Sequence, residues 1–294
     1  MVHVHAAGRS EKNIRAAFLL NLIFTIIEVA GGVYTGSLAI TADALHDLGD
    51  SFSLGLAWFF ERIAQKKPSP LFSYGYRRFS LLAALINALV LIGGSILILS
   101  AAVPRLFSPG IPDALGMLLL SLLGITVNGV AAYRMRGGKT LNEQVVAWHL
   151  LEDVLGWAAV LAVSIVLLFR DIPWLDPALS IMITLFVLWN VIRNLRRTLV
   201  IFLQGVPPSI SIDAVEEALT ALPGVCELHD THIWSLDGEH NILTAHVVID
   251  AGSAQEAIRE IKCKVKERAA ELGISHATIE IELEGEVCTL PEYY

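Results

Sequence analysis

Charge is scarce in this sequence. Of its 294 residues 17% are Asp, Glu, Lys or Arg, against roughly 25% in ordinary soluble proteins. Apolar residues make up 54% and the mean hydropathy is +0.61. That balance excludes a disordered chain, a nucleic-acid-binding surface and an average cytosolic enzyme. Cysteine is scarce too. Cys226, Cys263 and Cys288 are odd in number and widely spaced, with no CxxC pair, so they make no disulfide framework. The head MVHVHAAGRSEKNIRAAF has basic residues but no small-residue cleavage site, so the apolar runs are expected to stay in the mature protein. Internal repeats and low-complexity segments are lacking as well.

What is present divides in two. The overall charge of −8 conceals a first part, up to Gly205, with 16 Lys and Arg against 12 Asp and Glu, and a second with 5 against 17. The first part (1–205) reads as a membrane domain and the second (206–294) as a small acidic domain. A helix crosses the hydrocarbon core in about 20 apolar residues. Six stretches fit: Ile14–Val33, Leu38–Phe60, Phe79–Val103, Leu115–Tyr133, Val145–Phe169 and Leu175–Val191. Turn residues separate them, among them Gly36-Ser37, Pro68-Ser69-Pro70 and Gly137-Gly138. Fourteen Lys and Arg fall on one side of these spans and only Arg105 and Arg170 on the other, which puts both termini in the cytoplasm. The tail reads α-β-β-α-β: a helix over Ile210–Leu222, strands over Val225–Ser235 and Ile242–Ile249, a charged helix over Ala254–Leu272 and a strand over Ala277–Leu283. This order suggests a ferredoxin-like, split-βαβ α+β domain, which packing against a second copy would help.

The second and fifth spans are weakened by charges, and those charges carry the chemistry. Ionisable groups at membrane depth are costly and mark function by default. Only two of the nine histidines lie in spans, and each has an aspartate four residues on: His46 and Asp50 in TADALHDLGDS, His149 and Asp153 in AWHLLEDVLGW. At about 100° per residue, positions i and i+4 share one helix face. A single pair would serve equally as a helix-packing hydrogen bond. Two such helices can converge two imidazoles and two carboxylates on one ion, a four-coordinate N/O set that suits Zn²⁺. An imidazole binds metal only when neutral, so proton and metal compete for the site. Four protein ligands leave no open position for an activated water, and no HExxH is present, so transport rather than catalysis is expected. A channel with the same ligands, or a metal sensor, stays open on this reading. Asp47, roughly 100° from His46, reads as a pore-lining or vestibule acid. Glu28 and Asn21 read as interhelical hydrogen-bonding groups. Glu152 falls on another face than Asp153, and Glu143 at the cytoplasmic entrance. Five histidines fall in the tail, and adjacent antiparallel strands would bring His229 and His246 together across Asp237-Gly238.

With these motifs in this order the sequence resembles the cation diffusion facilitators, in their zinc-transporting branch. The resemblance runs through the Asn21, Glu28 and Gly32 pattern, SLAITADALHDLGDS, YGYRRFSLLAALIN, Asn128, the His149 and Asp153 pair, Asp176-Pro177 and VCELHDTHIWSLDGEHNILTAHV. It implies a homodimer in the lipid bilayer that exports a divalent metal in exchange for protons. Transport-site residues map onto His46, Asp50, His149 and Asp153. Histidine at the first position goes with zinc, often with cadmium or cobalt. The resemblance further implies a regulatory zinc site of His229, His246 and Glu282, with His232 alongside and Glu280 as a weaker candidate. His3, His5 and Cys288 correspond to a second tail site in some relatives, though only one cysteine stands there and the CxxC partner is missing. Arg77 and Arg78 correspond to residues that tie the first cytoplasmic loop to the tail, but their acidic counterpart would fall near Gln204, which is neutral. No organic cofactor and no nucleic-acid partner is expected. The lean loops point to a bacterial inner membrane.

Overall fold

The computed structural model describes Leu19, residues 22–135 and residues 141–286, with 141–145 described by backbone alone. Six helices come first: α1 (Leu22–Thr35), α2 (Leu38–Ala64), α3 (Phe79–Phe107), α4 (Ala114–Met135), α5 (Leu141–Phe169) and α6 (Leu175–Phe202). Then follow α7 (Ile212–Thr220), β1 (Val225–Ser235), β2 (Asn241–Ile249), α8 (Gln255–Glu271) and β3 (Ile274–Leu283). The chain forms two compact units, one from Met1–Phe59 with Ile86–Asn194, the other from Phe60–Leu85 with Leu195–Tyr294.

Of the six expected spans, α3, α4, α5 (over Val146–Phe169) and α6 are long and apolar enough to cross a membrane. The described part of α1 is shorter, and α2 is long enough but holds Asp43, Asp47 and Asp50 within its first half. The helix α6 runs on to Phe202, past the expected end at Val191, with Arg193, Arg196 and Arg197 exposed. Hydropathy marks where apolar character stops, whereas good helix formers such as Arg let the helix itself continue.

The first unit is built inside-out by soluble standards. Trp58, Leu97, Trp148 and Trp189 point outward, each more than half exposed, while Glu28, Asp47, Asn128, Asp153, Asp176 and Ser180 are buried. In a bilayer the outer apolar groups meet lipid, and small or polar side chains let helices approach closely. Trp157 of α5 is fully buried against Phe24 of α1, ring centroids 5.6 Å apart. It lies so close to Gly124 of α4 that a Cβ there would come within 2.3 Å of the indole. On α2 and α3 the approach is reciprocal: Leu91 fills the space at Gly49 and Leu45 the space at Gly94. Gly55 and Gly93 on the same helices face open space.

The start of α2 is fixed from α6. Gly36, at φ 68°, ends α1 in the left-handed conformation that glycine tolerates. The next turn's free N–H groups are then met by Asp176, whose carboxylate accepts from Leu38 N at 2.8 Å and Ala39 N at 3.3 Å and from the Ser37 hydroxyl. A carboxylate at a helix N-terminus satisfies orphan donors and complements the helix dipole.

In the second unit, β1 and β2 pair antiparallel and β2 and β3 parallel, in the order β1-β2-β3. Alternation sends Leu243, Ala245, Val247 and Ile249 into a core with Val215, Leu219, Ile261 and Val265 of the two helices. The even-numbered residues of β2 therefore face the other side of the sheet. The helix α7 is capped by Ser211, whose hydroxyl accepts from Ala214 N at 3.4 Å.

Candidate metal centre

In the first unit α2 and α5 bring three of the four expected ligands together. The donor atoms of His46, Asp50 and His149 lie within 4.8 Å of one another. Asp50 is the hinge of the group: its Oδ2 is 3.1 Å from His149 Nε2 and 3.7 Å from His46 Nε2. The two imidazoles meet edge to face, centroids 6.1 Å apart. All three side chains are about 30% exposed, so an ion can reach them. The fourth residue, Asp153, stands aside. Its Oδ2 is 3.9 Å from His149 Nε2, and the side chain is buried, its Oδ2 accepting no hydrogen bond among the described residues. It lies within electrostatic reach of Asp47 and Glu28 as well as His149. Beside His46 a cavity of about 20 Å³, the size of one water, is bounded by Leu91, Ser95, Thr184 and Val187.

One expectation for the neighbouring acids needs correction. Asp47 is no vestibule acid: it is 1% exposed, turned into the bundle. Glu28, fully buried, meets the Asp47 side chain of α2, so the expected interhelical hydrogen bond is made where one of the two carboxyls holds a proton. Glu152 is exposed on another face, as its spacing predicts. Asn21 and the Glu143 side chain lie outside the described residues.

In the second unit the antiparallel register pairs His229 with His246, as the strand pattern predicts, and β3 adds Glu282. These three form a second cluster, donor atoms within 4.8 Å of one another, on the sheet face away from the helices. His246 Nδ1 is 2.6 Å from Glu282 Oε1, and His229 Nε2 is 3.2 Å from Glu282 Oε2. Glu280, expected to be weaker for its height along the strand, stands directly opposite His246 in the register, its Oε2 3.5 Å from His246 Nε2, but is largely exposed. His232 does not join the cluster. The β1 register shifts between His229 and His232, and Asp230 takes a left-handed φ of 49° there. Through that bulge His232 pairs with Thr244, which puts it on the face of His246 but one pair further along, where its Nε2 is 2.9 Å from Asp230 Oδ1. Sequence reasoning missed Asp230, whose Oδ2 is also 3.7 Å from His246 Nε2; strand alternation could not find it, because the bulge breaks alternation. His3, His5 and Cys288 lie outside the described residues.

Arg77 finds a partner other than the one expected near Gln204. Its Nη1 is 3.6 Å from Asp237 Oδ2 and within 2.9 Å of the His240 ring, both at the β1–β2 turn. Asp237 also accepts from Glu239 N, His240 N and the His240 ring. Burial alone would push its carboxyl up, but these hydrogen bonds outweigh burial and hold it below the usual carboxylate range. His276 stacks edge-on against Tyr74 at 6.0 Å.

Apolar helices of spanning length, with imidazoles and carboxylates converging in their interior and again on a small α+β unit, define a membrane protein furnished with ligand sets for a divalent metal. The chain belongs to the cation efflux family: residues 14–203 match its cation efflux transmembrane domain and residues 207–284 its cation efflux protein cytoplasmic domain. Among its relatives, a cadmium, cobalt and zinc/H(+)-K(+) antiporter of Bacillus velezensis is 33% identical over 284 residues, covering 95% of this chain and 91% of the relative. The metal cation efflux system protein CzcD of Cupriavidus metallidurans is 36% identical over 284 residues, 96% of this chain and 89% of the relative. Zinc transporter ZitB of Pectobacterium atrosepticum is 33% identical over 288 residues, 95% and 88%. The resemblance drawn from the motifs is therefore one of family.

Proposed function

We propose that this protein is a Zn²⁺/H⁺ antiporter that exports zinc, and with it Cd²⁺ or Co²⁺, from the cytoplasm by alternating access. Its cargo site is His46, Asp50 and His149, with Asp153 as the fourth ligand. The observation that carries the reading is the meeting of two imidazoles on one carboxylate, Asp50, between α2 and α5. Nitrogen and oxygen donors in a small group suit zinc better than the all-oxygen sets that hard ions prefer. Asp153 shares α5 with His149, 3.9 Å away, and a modest closing of α5 on α2 would carry it toward His46 and Asp50 to complete a tetrahedron. That movement is the kind of step alternating access requires. Protons arriving at the imidazoles displace the metal, so release on the acidic face resets the site without covalent chemistry.

The names of the relatives, which include zinc, cadmium and cobalt transport, support the choice of cargo. In this reading the chain spans the membrane six times, with both termini in the cytoplasm, and works as a homodimer in a bacterial inner membrane. Residues 1–205 carry transport. Residues 206–294, ferredoxin-like in plan, carry dimerisation and regulation. There His229, His246 and Glu282 would hold zinc, for two imidazoles and a carboxylate already converge at the right separation. The bound ion would tie β1, β2 and β3 together on the face that the helices leave uncovered.

The test is zinc-driven proton flux in proteoliposomes, repeated with Cd²⁺, Co²⁺, Mn²⁺ and Fe²⁺. Zinc should move protons the other way, and His149→Ala or Asp50→Ala should abolish the flux in a protein that still folds. Flux that ignores a pH gradient would mean a channel, and wild-type flux from either variant would remove the site.

A further inference from the structure

The helices α4 and α5 leave a groove between them near the end where α4 stops. Gly129, Ala132 and Ala147 are too small to fill it, and a cavity of about 590 Å³ results. That is within the range of small-molecule sites, about 300–1,000 Å³. Met135, which lines the cavity, is buried in a cluster with Ala131 and Leu150. The rim is aromatic: Tyr133 of α4 and Trp148 of α5 both line the groove, and they are 78% and 68% exposed. Tyrosine and tryptophan gather where hydrocarbon meets headgroups. On α5 the lining residues Ala147, Trp148, Leu151 and Val154 share one face, roughly opposite the face of His149 and Asp153.

The mouth of the groove is basic. Arg134, in the last turn of α4, sits in the chain between the lining residues Tyr133 and Met135. It is exposed, and none of the ion pairs among the described residues involves it. From Arg134 to Asn142 the sequence adds Arg136 and Lys139 and contains no acid.

Both helices are long and apolar enough to span a membrane, so their outer surface meets lipid. An apolar groove accepts a hydrocarbon chain, and a guanidinium without a counter-charge at its mouth accepts a phosphate through paired hydrogen bonds. Basic pockets between spanning helices hold anionic headgroups for this reason. A zwitterionic headgroup brings its own cation and gains less. A second copy of this chain fits worse, because two-fold pairing sets the same patch against itself. Groove against groove would leave the cavity unfilled.

We propose that the α4–α5 groove binds an anionic phospholipid, with one acyl chain between Tyr133 and Trp148 and the phosphate on Arg134. The binding claim needs only a membrane protein and stands apart from the choice of cargo. If α5 closes on α2 as in the transport reading above, the lipid lies behind the moving helix, and its occupancy shifts that movement.

The experiment uses the full-length protein in phosphatidylcholine bilayers with rising fractions of phosphatidylglycerol, one or the other lipid carrying brominated acyl chains. It reads the quenching of Trp148, taken as the difference between the wild type and Trp148→Phe. Brominated phosphatidylglycerol should reach half-quenching at about a fivefold lower fraction than brominated phosphatidylcholine, the weight of one basic group near anionic lipid. Arg134→Gln should erase that preference while both lipids still quench. Ala132→Leu, which fills the groove, should weaken quenching by both. Circular dichroism reports whether each variant keeps its helices, and Arg134→Gln changes an exposed side chain only. The proposal falls if the two lipids quench Trp148 alike in the wild type, or if the preference survives undiminished in Arg134→Gln. It falls equally if neither lipid quenches Trp148, because a second copy then covers the groove.

Discussion

Acidification should strip zinc from the membrane site with a steepness that counts its imidazoles. Two ring nitrogens, His46 Nε2 and His149 Nε2, stand 3.7 and 3.1 Å from the shared Asp50 oxygen. Each must be free of its proton to bind metal. Below the pH at which both rings protonate in the metal-free protein, mass action makes log Kd rise by about two per pH unit, a loss of about 100-fold. His46→Gln removes one ring, so its limiting slope should be about one, or about 10-fold per unit. The measurement is calorimetric zinc titration over a pH series, in buffers of different ionisation enthalpy so that released protons are counted directly. The background should carry His229→Gln and His246→Gln, which removes the tail rings from the count. A slope of two that survives His46→Gln would refute the convergence of both imidazoles on one ion. A slope near one in the parent would do the same.

Three further outcomes follow from the packing. Gly124→Ala puts a Cβ within 2.3 Å of the buried Trp157 indole, so it should cost about 1–3 kcal/mol, read as a lowered unfolding temperature. Glu282→Gln removes the carboxylate that both tail imidazoles touch; zinc affinity of the second cluster should fall while zinc flux through the membrane site persists. The Asp237 carboxyl is held below its unfolded value of 3.8, so its stabilising effect is present above about pH 4 and lost as the pH falls through its folded value. Acid unfolding of the β1–β2 turn, followed by amide exchange, should therefore begin below that pH, and Asp237→Asn should remove this acid-dependent component.

The chemistry of the metal centre was legible because it depends on spacing within single helices. A His and an Asp four apart share a face whatever the rest of the fold does. Likewise the pairing of His229 with His246 followed from two alternating runs around one turn. The parts that were not legible depend on contacts between distant elements or on broken regularity. Nothing local says that Asp153 is buried apart from the cluster, or that Asp47 is buried rather than wetted. The distinction lies in which neighbours α1 and α5 present. His232 was expected alongside on the resemblance alone; the bulge sets it one pair away from His246, beside Asp230. Arg77 needed an acid, and the one it finds belongs to a turn more than 150 residues away. Helix ends were misplaced where hydropathy stops before helicity does, as at Phe202.

The hold of Asp176 on Ser37, Leu38 and Ala39 reaches across 137 to 139 residues of sequence. As the chain is made, the first turn of α2 emerges long before the residue that completes it. Until α6 is inserted, that turn must borrow water or lipid headgroups for its bare N–H groups. Until α6 is in place the helix bearing His46 and Asp50 lacks the cap on its first turn. Assembly of the metal site is thus a late event, and a chain cut short before Asp176 would hold both histidines yet lack the pin that aims one of them.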